Sequence, residues 1–414
     1  MTPSSAVTAG DLPLVTPPAA SARDPRPGLS GLSTGQLAAW LEDRGEAGYR
    51  ARQIADALWR HGASDPAQMR TLPGSLRSQL SASFRINTLA ETAVRPADAG
   101  LTEKALHRLD DGRLIESVLM RYPARRESRE RATVCISSQA GCAVGCPFCA
   151  TGELGFERDL DAAEIVDQVR FWSRRLADDG NRVTNVVFMG MGEPLLNLDA
   201  VVEAAQALSD PQRFGLGARH ITISTSGVTP GIERLASMRP QWTMAVSLHS
   251  ARPALRDVLV PLNRRYPLQG VVAAAAAYAR ATGRRITYEH IMIAGINDTP
   301  TDADELARLL RGHLAHVNLI PMNRVAHTPW QPSPVERLEI FAGRLRGAGI
   351  STTIRRNRGI EIGAACGQLA AERSESPPPA TVARRREILE TRSAEALQSA
   401  RSPGSLVPSG PPAP

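Results

Sequence analysis

Thr133-Val-Cys-Ile-Ser137, followed by Cys142-Ala-Val-Gly-Cys146-Pro-Phe-Cys149, is the stretch on which fold and chemistry both turn. The first five residues read as a buried β-strand, and the three thiols stand on the loop that leaves it. Three thiolates this close can hold three irons of a cubane iron–sulfur cluster. The fourth iron then stays open to bind and reduce a small molecule. A structural zinc site is the alternative, but such sites are normally closed by four protein ligands, and no fourth lies at local spacing. Gly145 and Pro147 fall where the backbone must wrap closely around a metal.

Downstream, strands and helices alternate. Strand readings fall on Asn185–Met189, His220–Ser224, Thr243–Leu248, Arg285–Ile293 and Val317–Ile320. Helices are expected from about Asp161, Asp199, Pro230, Val271, Thr301 and Pro334. Six β/α units whose strands are apolar runs fit a parallel sheet covered on both faces. Such units can build a doubly wound sheet or an open barrel. The polar features cluster just after strand C-termini, so the reading is α/β, an open (β/α)6 partial TIM barrel over residues 131–370.

Upstream, residues 33–87 carry helical periodicity, with Ser33-Thr34 as a cap, and form a small N-terminal helical domain. Residues 88–130 read as a short β extension, with Asp110-Asp111-Gly112 as a hairpin turn. Residues 1–32 and 371–414 are rich in Pro, Ser, Ala and Gly and are expected to be disordered tails. Within the second, Ala380–Ala400 is helical-looking and carries Arg384-Arg385-Arg386, but the solvated tail is the preferred reading.

The 414 residues contain five cysteines, too few and too odd for a secreted disulfide framework. No signal peptide is visible, and no apolar run approaches the roughly 20 residues of a membrane span. A cytoplasmic protein without membrane contact is expected. The net charge of +7 is carried by arginine; Lys104 is the only lysine among 49 basic residues. That balance suits an anionic partner such as RNA, though a bias toward arginine explains the missing lysine equally well.

Polar groups recur at successive strand ends: Gly190-Met-Gly192-Glu193-Pro194, Ser224-Thr-Ser-Gly227, Ser247-Leu248-His249 and Pro321-Met-Asn323. Paired glycines admit a ligand close to the backbone, and Glu193 can accept from an ammonium group. Each string alone is commonplace; four facing one thiol cluster are not.

These strings resemble the radical S-adenosylmethionine enzymes, through CxxxCxxC followed by GMGEP. The longer strings CISSQAGCAVGCPFCATG, MGMGEPLLN, ITISTSG, VSLHS and AACGQLA resemble the RlmN type of 23S ribosomal RNA adenine-C2 methyltransferase. The likeness runs from the helical domain to about Leu369. It implies that Cys142, Cys146 and Cys149 ligate one 4Fe-4S cluster whose open iron takes S-adenosylmethionine. Gly192, Glu193, Ser224, Ser247, Leu248, His249 and Asn323 would hold that cofactor. Cys366 would be the cysteine that is itself methylated, Cys135 its partner in a transient disulfide, and Glu116 the general base.

The implied reaction consumes two S-adenosylmethionines per turnover. The first methylates Cys366; the second yields a 5′-deoxyadenosyl radical that activates the S-methyl group for addition to C2. Adenine C2 has no lone pair for an ordinary polar methyl transfer, which is why a radical is needed. The resulting protein–RNA adduct loses its C2 proton to Glu116. Attack of Cys135 on the Cys366 sulfur then frees it. Implied partners are 23S ribosomal RNA before full ribosome assembly, transfer RNA as a second candidate, flavodoxin or ferredoxin as electron donor, and a thiol reductant. The expected enzyme is monomeric. A Cfr-like adenine-C8 methyltransferase is the nearest alternative, and a zinc-binding RNA module a more distant one. The chain departs from the usual pattern at Glu153-Leu154, at Met322 and over Arg324-Val-Ala-His327, which bears on substrate range.

Overall fold

The computed structural model describes residues 22–124, 129–365, 367–369 and 379–399. The first helices are α1 (Thr34–Glu42), α2 (Tyr49–Ala55) and α3 (Gly74–Ser83). Ser33 caps α1 reciprocally: its side chain accepts from Gln36 N, and the Gln36 side chain accepts from Ser33 N, satisfying donors that a helix start leaves open. Leu37, Leu41, Ile54, Leu76 and Leu80 turn inward and build a core of their own. The tail expected through residue 32 ends earlier. Leu29 and Ser30 are buried, and Leu29 N donates to Arg85 O. Polar ties hold the same stretch, with Asp24 N donating to Asp110 Oδ2 at 3.0 Å and Arg85 Nε to Arg26 O at 2.7 Å, and averaged composition conceals all of them. Residues 1–21 lie outside the described residues.

Three strands follow, β1 (Ala90–Ala97), β2 (Thr102–Arg108) and β3 (Leu114–Tyr122), with the expected turn between the last two at Gly112, φ +86°. β3 pairs antiparallel with β4 (Arg131–Cys135), so this extension is continuous with the central sheet. Beyond β4 a small clip of β5 (Gln139–Gly141) and β6 (Phe156–Asp159) brackets the thiol loop and the short helix α4 (Ala150–Leu154).

The main body then alternates α5 (Ala162–Asp178), β7 (Asn185–Phe188), α6 (Leu198–Ser209), β8 (Ile221–Thr225), α7 (Thr229–Met238) and β9 (Thr243–Ser247). It continues through α8 (Pro253–Leu259), α9 (Leu268–Thr282), β10 (Ile286–Met292), α10 (Pro300–Leu309), β11 (Ala315–Pro321), α11 (Val335–Gly347) and β12 (Ser351–Ile354). The sheet has ten strands in the order β1-β2-β3-β4-β7-β8-β9-β10-β11-β12, parallel from β4 onward, and is open between its two edges. The six expected β/α units are present, and β12 adds a further parallel strand. Its four residues are Ser-Thr-Thr-Ile, too short and polar to signal a strand in sequence.

Helices such as α5 lay an apolar face on the sheet, and Trp172, Phe188, Tyr288 and Phe341 are fully buried there. After β12 the chain crosses back to the hairpins. Arg358 Nη1 donates to Arg121 O at 3.0 Å, and Gly359 N to Asp98 Oδ2 at 2.9 Å. The C-terminal tail is also corrected: α12 (Pro379–Ser399) is a helix whose Ser393 and Ala396 are buried, beside the core formed with α8. Two small residues and the partly buried Leu389 suffice to dock it. No described helix is long and apolar enough to cross a membrane.

Candidate active site

Cys142, Cys146 and Cys149 line one wall of a cavity at the C-terminal ends of the parallel strands. Their loop is folded tightly. Cys149 N donates to Cys146 O at 3.0 Å and Cys142 N to Gly155 O at 2.8 Å. Gly141, at φ +75°, admits no side chain, since a Cβ there would meet Gly155 O at 1.9 Å. Burial pushes the Cys142 thiol up to about 12, with Cys149 and Glu193 adding to the effect. Burial likewise raises Cys146, with the neighbouring thiols contributing, and raises Cys149. Three half-buried thiols that resist ionisation are costly to charge alone and suit a cationic iron–sulfur centre that takes them as thiolates. Among the described residues no three His, Cys, Asp or Glu side chains converge on one metal ion.

The loop after β7 forms the facing wall. Gly190 lies against Ile136 O, where a Cβ would sit at 2.6 Å, and Gly192 adopts φ +103° against Gln139. Glu193 is buried; its carboxylate accepts from Leu195 N at 3.0 Å and from Ser226 N and Oγ at 2.7 Å each. Burial pushes this carboxyl above its ordinary range, and the Ser226 donors pull against that.

Ser224, Ser247 and His249 line the same cavity. Ser224 Oγ donates to Phe188 O at 2.5 Å. His249 takes a left-handed φ of +62°; its Nδ1 accepts from Ile291 N at 3.1 Å, and its ring stands edge-on to Phe148. Burial drives its basicity well below that of free histidine, with His290 and Arg256 acting in the same direction. The neutral ring therefore carries its proton on Nε2. Arg256 ties these strand ends together, donating to Ser226 O at 2.6 Å and Leu248 O at 3.1 Å.

Two cofactor residues of the sequence reading stand elsewhere. The Leu248 side chain is in the main core, because alternation along the chain turns it away from Ser247 and the cavity. Asn323 is buried outside the lining, where its Oδ1 accepts from Asn357 Nδ2 at 2.7 Å; Asn357 is the residue that lines the cavity.

Cys135, at the end of β4, is buried and lines the cavity directly opposite Val118 of β3. Glu116 lies two residues before Val118 on the same face, fully buried, with Lys104 Nζ 2.8 Å from its Oε1. Position 366 lies outside the described residues. Its neighbours Ala365 and Gly367 line the cavity, and Gly367 O accepts from Ala150 N, just after the thiol loop, at 2.7 Å. Sequence reasoning missed Ser226, Glu289 and the run Arg355–Arg358. Glu289 and that run line the cavity, and Asn318 Nδ2 donates to the Glu289 carboxylate at 2.9 Å. Ser226 lies inside the quoted Ser224–Gly227 string, and a hydroxyl immediately past a strand end is the available signal.

Residues 136–310 match the Radical SAM superfamily, and residues 28–86 match the ribosomal RNA large subunit methyltransferase N-terminal domain. A probable dual-specificity RNA methyltransferase RlmN of Parafrankia sp. (strain EAN1pec) is 46% identical over 386 residues, which cover 90% of this chain and 98% of that protein. A protein of the same description from Mycobacterium tuberculosis (strain H37Rv) is 46% identical over 84% of this chain and 97% of its own length. A crystal structure of a radical SAM methyltransferase from Sphaerobacter thermophilus superposes with a TM-score of 0.81 at 46% identity, covering 84% of this chain and all of that one.

Proposed function

The chain belongs to the RlmN-type radical S-adenosylmethionine methyltransferases, and on that premise we propose that it methylates C2 of an adenine in 23S ribosomal RNA, with transfer RNA as a second substrate. Radical SAM RNA methylation comes with the family, as do S-adenosylmethionine and a 4Fe-4S cluster. The position on the base, the stoichiometry of two S-adenosylmethionines per turnover and the residue roles are our reading. The observation that carries it is the convergence of the three thiols, Cys135 and both described neighbours of position 366 on one cavity.

When bound, the cluster and S-adenosylmethionine supply the methyl group and the one-electron chemistry. Cys142, Cys146 and Cys149 would hold the cluster. Gly192, Glu193, Ser224, Ser247 and His249 surround the space beside it, with Leu248 contributing through its backbone and Asn323 through Asn357. Glu193, held by Ser226 and Leu195, presents an anionic wall to an amino group. Neutral His249 offers Nε2–H as a donor. The Cys366 thiol takes up the methyl group and links the carbon to C2. Glu116 accepts the C2 proton, and Cys135 attacks the Cys366 sulfur. The disulfide so formed is reduced by an external thiol. Cytoplasmic action on RNA before full ribosome assembly, a monomer, and a flavodoxin or ferredoxin donor complete the reading.

The test is mass spectrometry of digested 23S ribosomal RNA and transfer RNA from a strain lacking the gene. Loss of 2-methyladenosine from both pools is expected. Loss of 8-methyladenosine instead would overturn the C2 assignment, and retention in transfer RNA would remove that substrate.

A further inference from the structure

We propose that Lys104 is the positioning partner of Glu116, a buried ammonium that fixes this carboxylate on the cavity face of β3. The inference rests on the reading of Glu116 as the base that removes the C2 proton. Its starting point is composition. Lys104 is the only lysine among 49 basic residues. Another buried ion pair, Arg170–Asp167, uses arginine. A lysine ammonium is a compact, strongly hydrated point charge, harder to strip of water than a guanidinium and lacking its planar fork. Its single use falls on the proposed base.

The geometry fits this role. Lys104 Nζ lies 2.8 Å from Glu116 Oε1, with 8% and 1% of the two side chains exposed. In the β2–β3 register Lys104 faces Val118 and Leu106 faces Glu116. The pair is therefore diagonal on one face of the sheet. Val118, Met120 and Tyr122 continue that face into the cavity lining. A Cβ built on Gly363 would stand 3.6 Å from Nζ, so the segment leading to Ala364 and Ala365 roofs the ammonium. Ser137 Oγ donates to Glu116 O at 2.6 Å and pins the backbone behind the carboxylate.

The chemistry explains why a counter-charge belongs here. Radical addition leaves one unpaired electron on the protein–RNA adduct; the C2–H bond breaks, its proton passes to the Glu116 carboxylate, its electron pair restores the adenine ring, and the odd electron would return to the one-electron carrier that supplied it. A carboxylate waiting for that proton in a water-poor site is costly unless an opposite charge faces it. Lys104 holds the acceptor in place from 2.8 Å away. It is a positioning residue.

Two measurements test this, one of them without turnover. Lysine labelled with ¹³C at Cε gives one side-chain NMR signal from this chain. That signal is expected to move in Glu116→Gln and on binding a substrate oligonucleotide; an unmoved signal in both cases overturns the pairing. In cluster-loaded protein, Lys104→Met is expected to release at least about tenfold less 2-methyladenosine per 5′-deoxyadenosine, with an enlarged isotope effect from adenine deuterated at C2. Lys104→Arg, which keeps a cation, should recover part of the loss and serves if Lys104→Met does not fold. A wild-type ratio in both variants, or a loss that only tracks lost iron, overturns the inference. A fully active Glu116→Gln would instead bring down the assignment of the base itself.

Discussion

The two ends of the same parallel strands are chemically opposite. At their C-terminal ends stand three half-buried thiols, the buried Glu193 and a neutral His249. Toward their N-terminal ends the sheet interior is lined by Thr133, Asn185, Thr222, Thr243, Thr287, His316 and Thr353, beside Arg129, Arg131, Arg355, Arg356 and Arg358. Met120, Tyr122, Met189, Glu289 and the Arg355–Arg358 crossing border both spaces. The upper end gathers thiols, a carboxylate and an imidazole around one cavity. The lower end keeps polar hydroxyls and cations facing a groove, as suits a polyanion. One scaffold thus places thiols and a carboxylate at one end of its strands and hydroxyls with arginines at the other.

The largest effect that would break this contrast is at the upper end. Cys142→Ala, Cys146→Ala or Cys149→Ala is expected to abolish both iron binding and methylation while leaving the helical N-terminal core intact. Iron analysis, the visible spectrum and far-ultraviolet circular dichroism check it. A variant that kept its iron would show that the three thiols are not the ligand set.

Much of this was legible because it is local. Strand runs such as Ile221–Thr225 and helix caps such as Asp161 with Glu164 announce themselves within a few residues. So do the Gly190 and Gly192 turns, whose close approaches tolerate no Cβ. What stayed hidden depends on tertiary closure. Arg355–Arg358 enter the cavity only because the chain crosses from β12 to Asp98 and Arg121. Asn323 sits behind Asn357 for the same reason. Leu29 and α12 look like tail in sequence because composition averages over long stretches, while docking rests on a few contacts at particular residues. Cys366, the residue on which the resemblance depends most, lies outside the described residues.

A second, smaller effect concerns the outer faces that support both ends alike. His107 of β2 and His290 of β10 are buried, and burial lowers them to about 3 and about 4. The Arg174 charge adds to the first; a bond to Asn297 O opposes the second. Because folded values lie below the unfolded one near 6.5, the unfolded chain binds protons first as the pH falls. Their stabilising contribution is full above about pH 6.5 and is lost progressively toward pH 4. Between pH 6.5 and 5 each should cost roughly 2 kcal/mol. Denaturant melts at the two pH values measure this, and His107→Gln should flatten the slope by about half. An unchanged slope would mean that His107 is not held neutral in the fold.

The smallest effect sharpens the lower end. Tyr122 is sandwiched between two guanidinium groups, with Arg131 at 4.1 Å and Arg358 at 4.3 Å from its ring centre. The ring spreads these two cations on either side of itself at the border of the groove, and cation–π attraction holds them there without neutralising either charge. Cations kept in this way remain available to phosphates. Arg131→Ala and Arg358→Ala are each expected to weaken RNA binding by about tenfold or less and to reduce the salt slope of binding by about one. In Arg131→Ala, iron content and S-adenosylmethionine cleavage without RNA should stay at the wild-type level, since Arg131 does not line the cavity that holds the thiols. The double variant should lose about two in slope if both arginines meet phosphates. If affinity falls equally at low and high salt, the sandwich is a packing device, and the division between a reactive upper end and an RNA-facing lower end fails at this point.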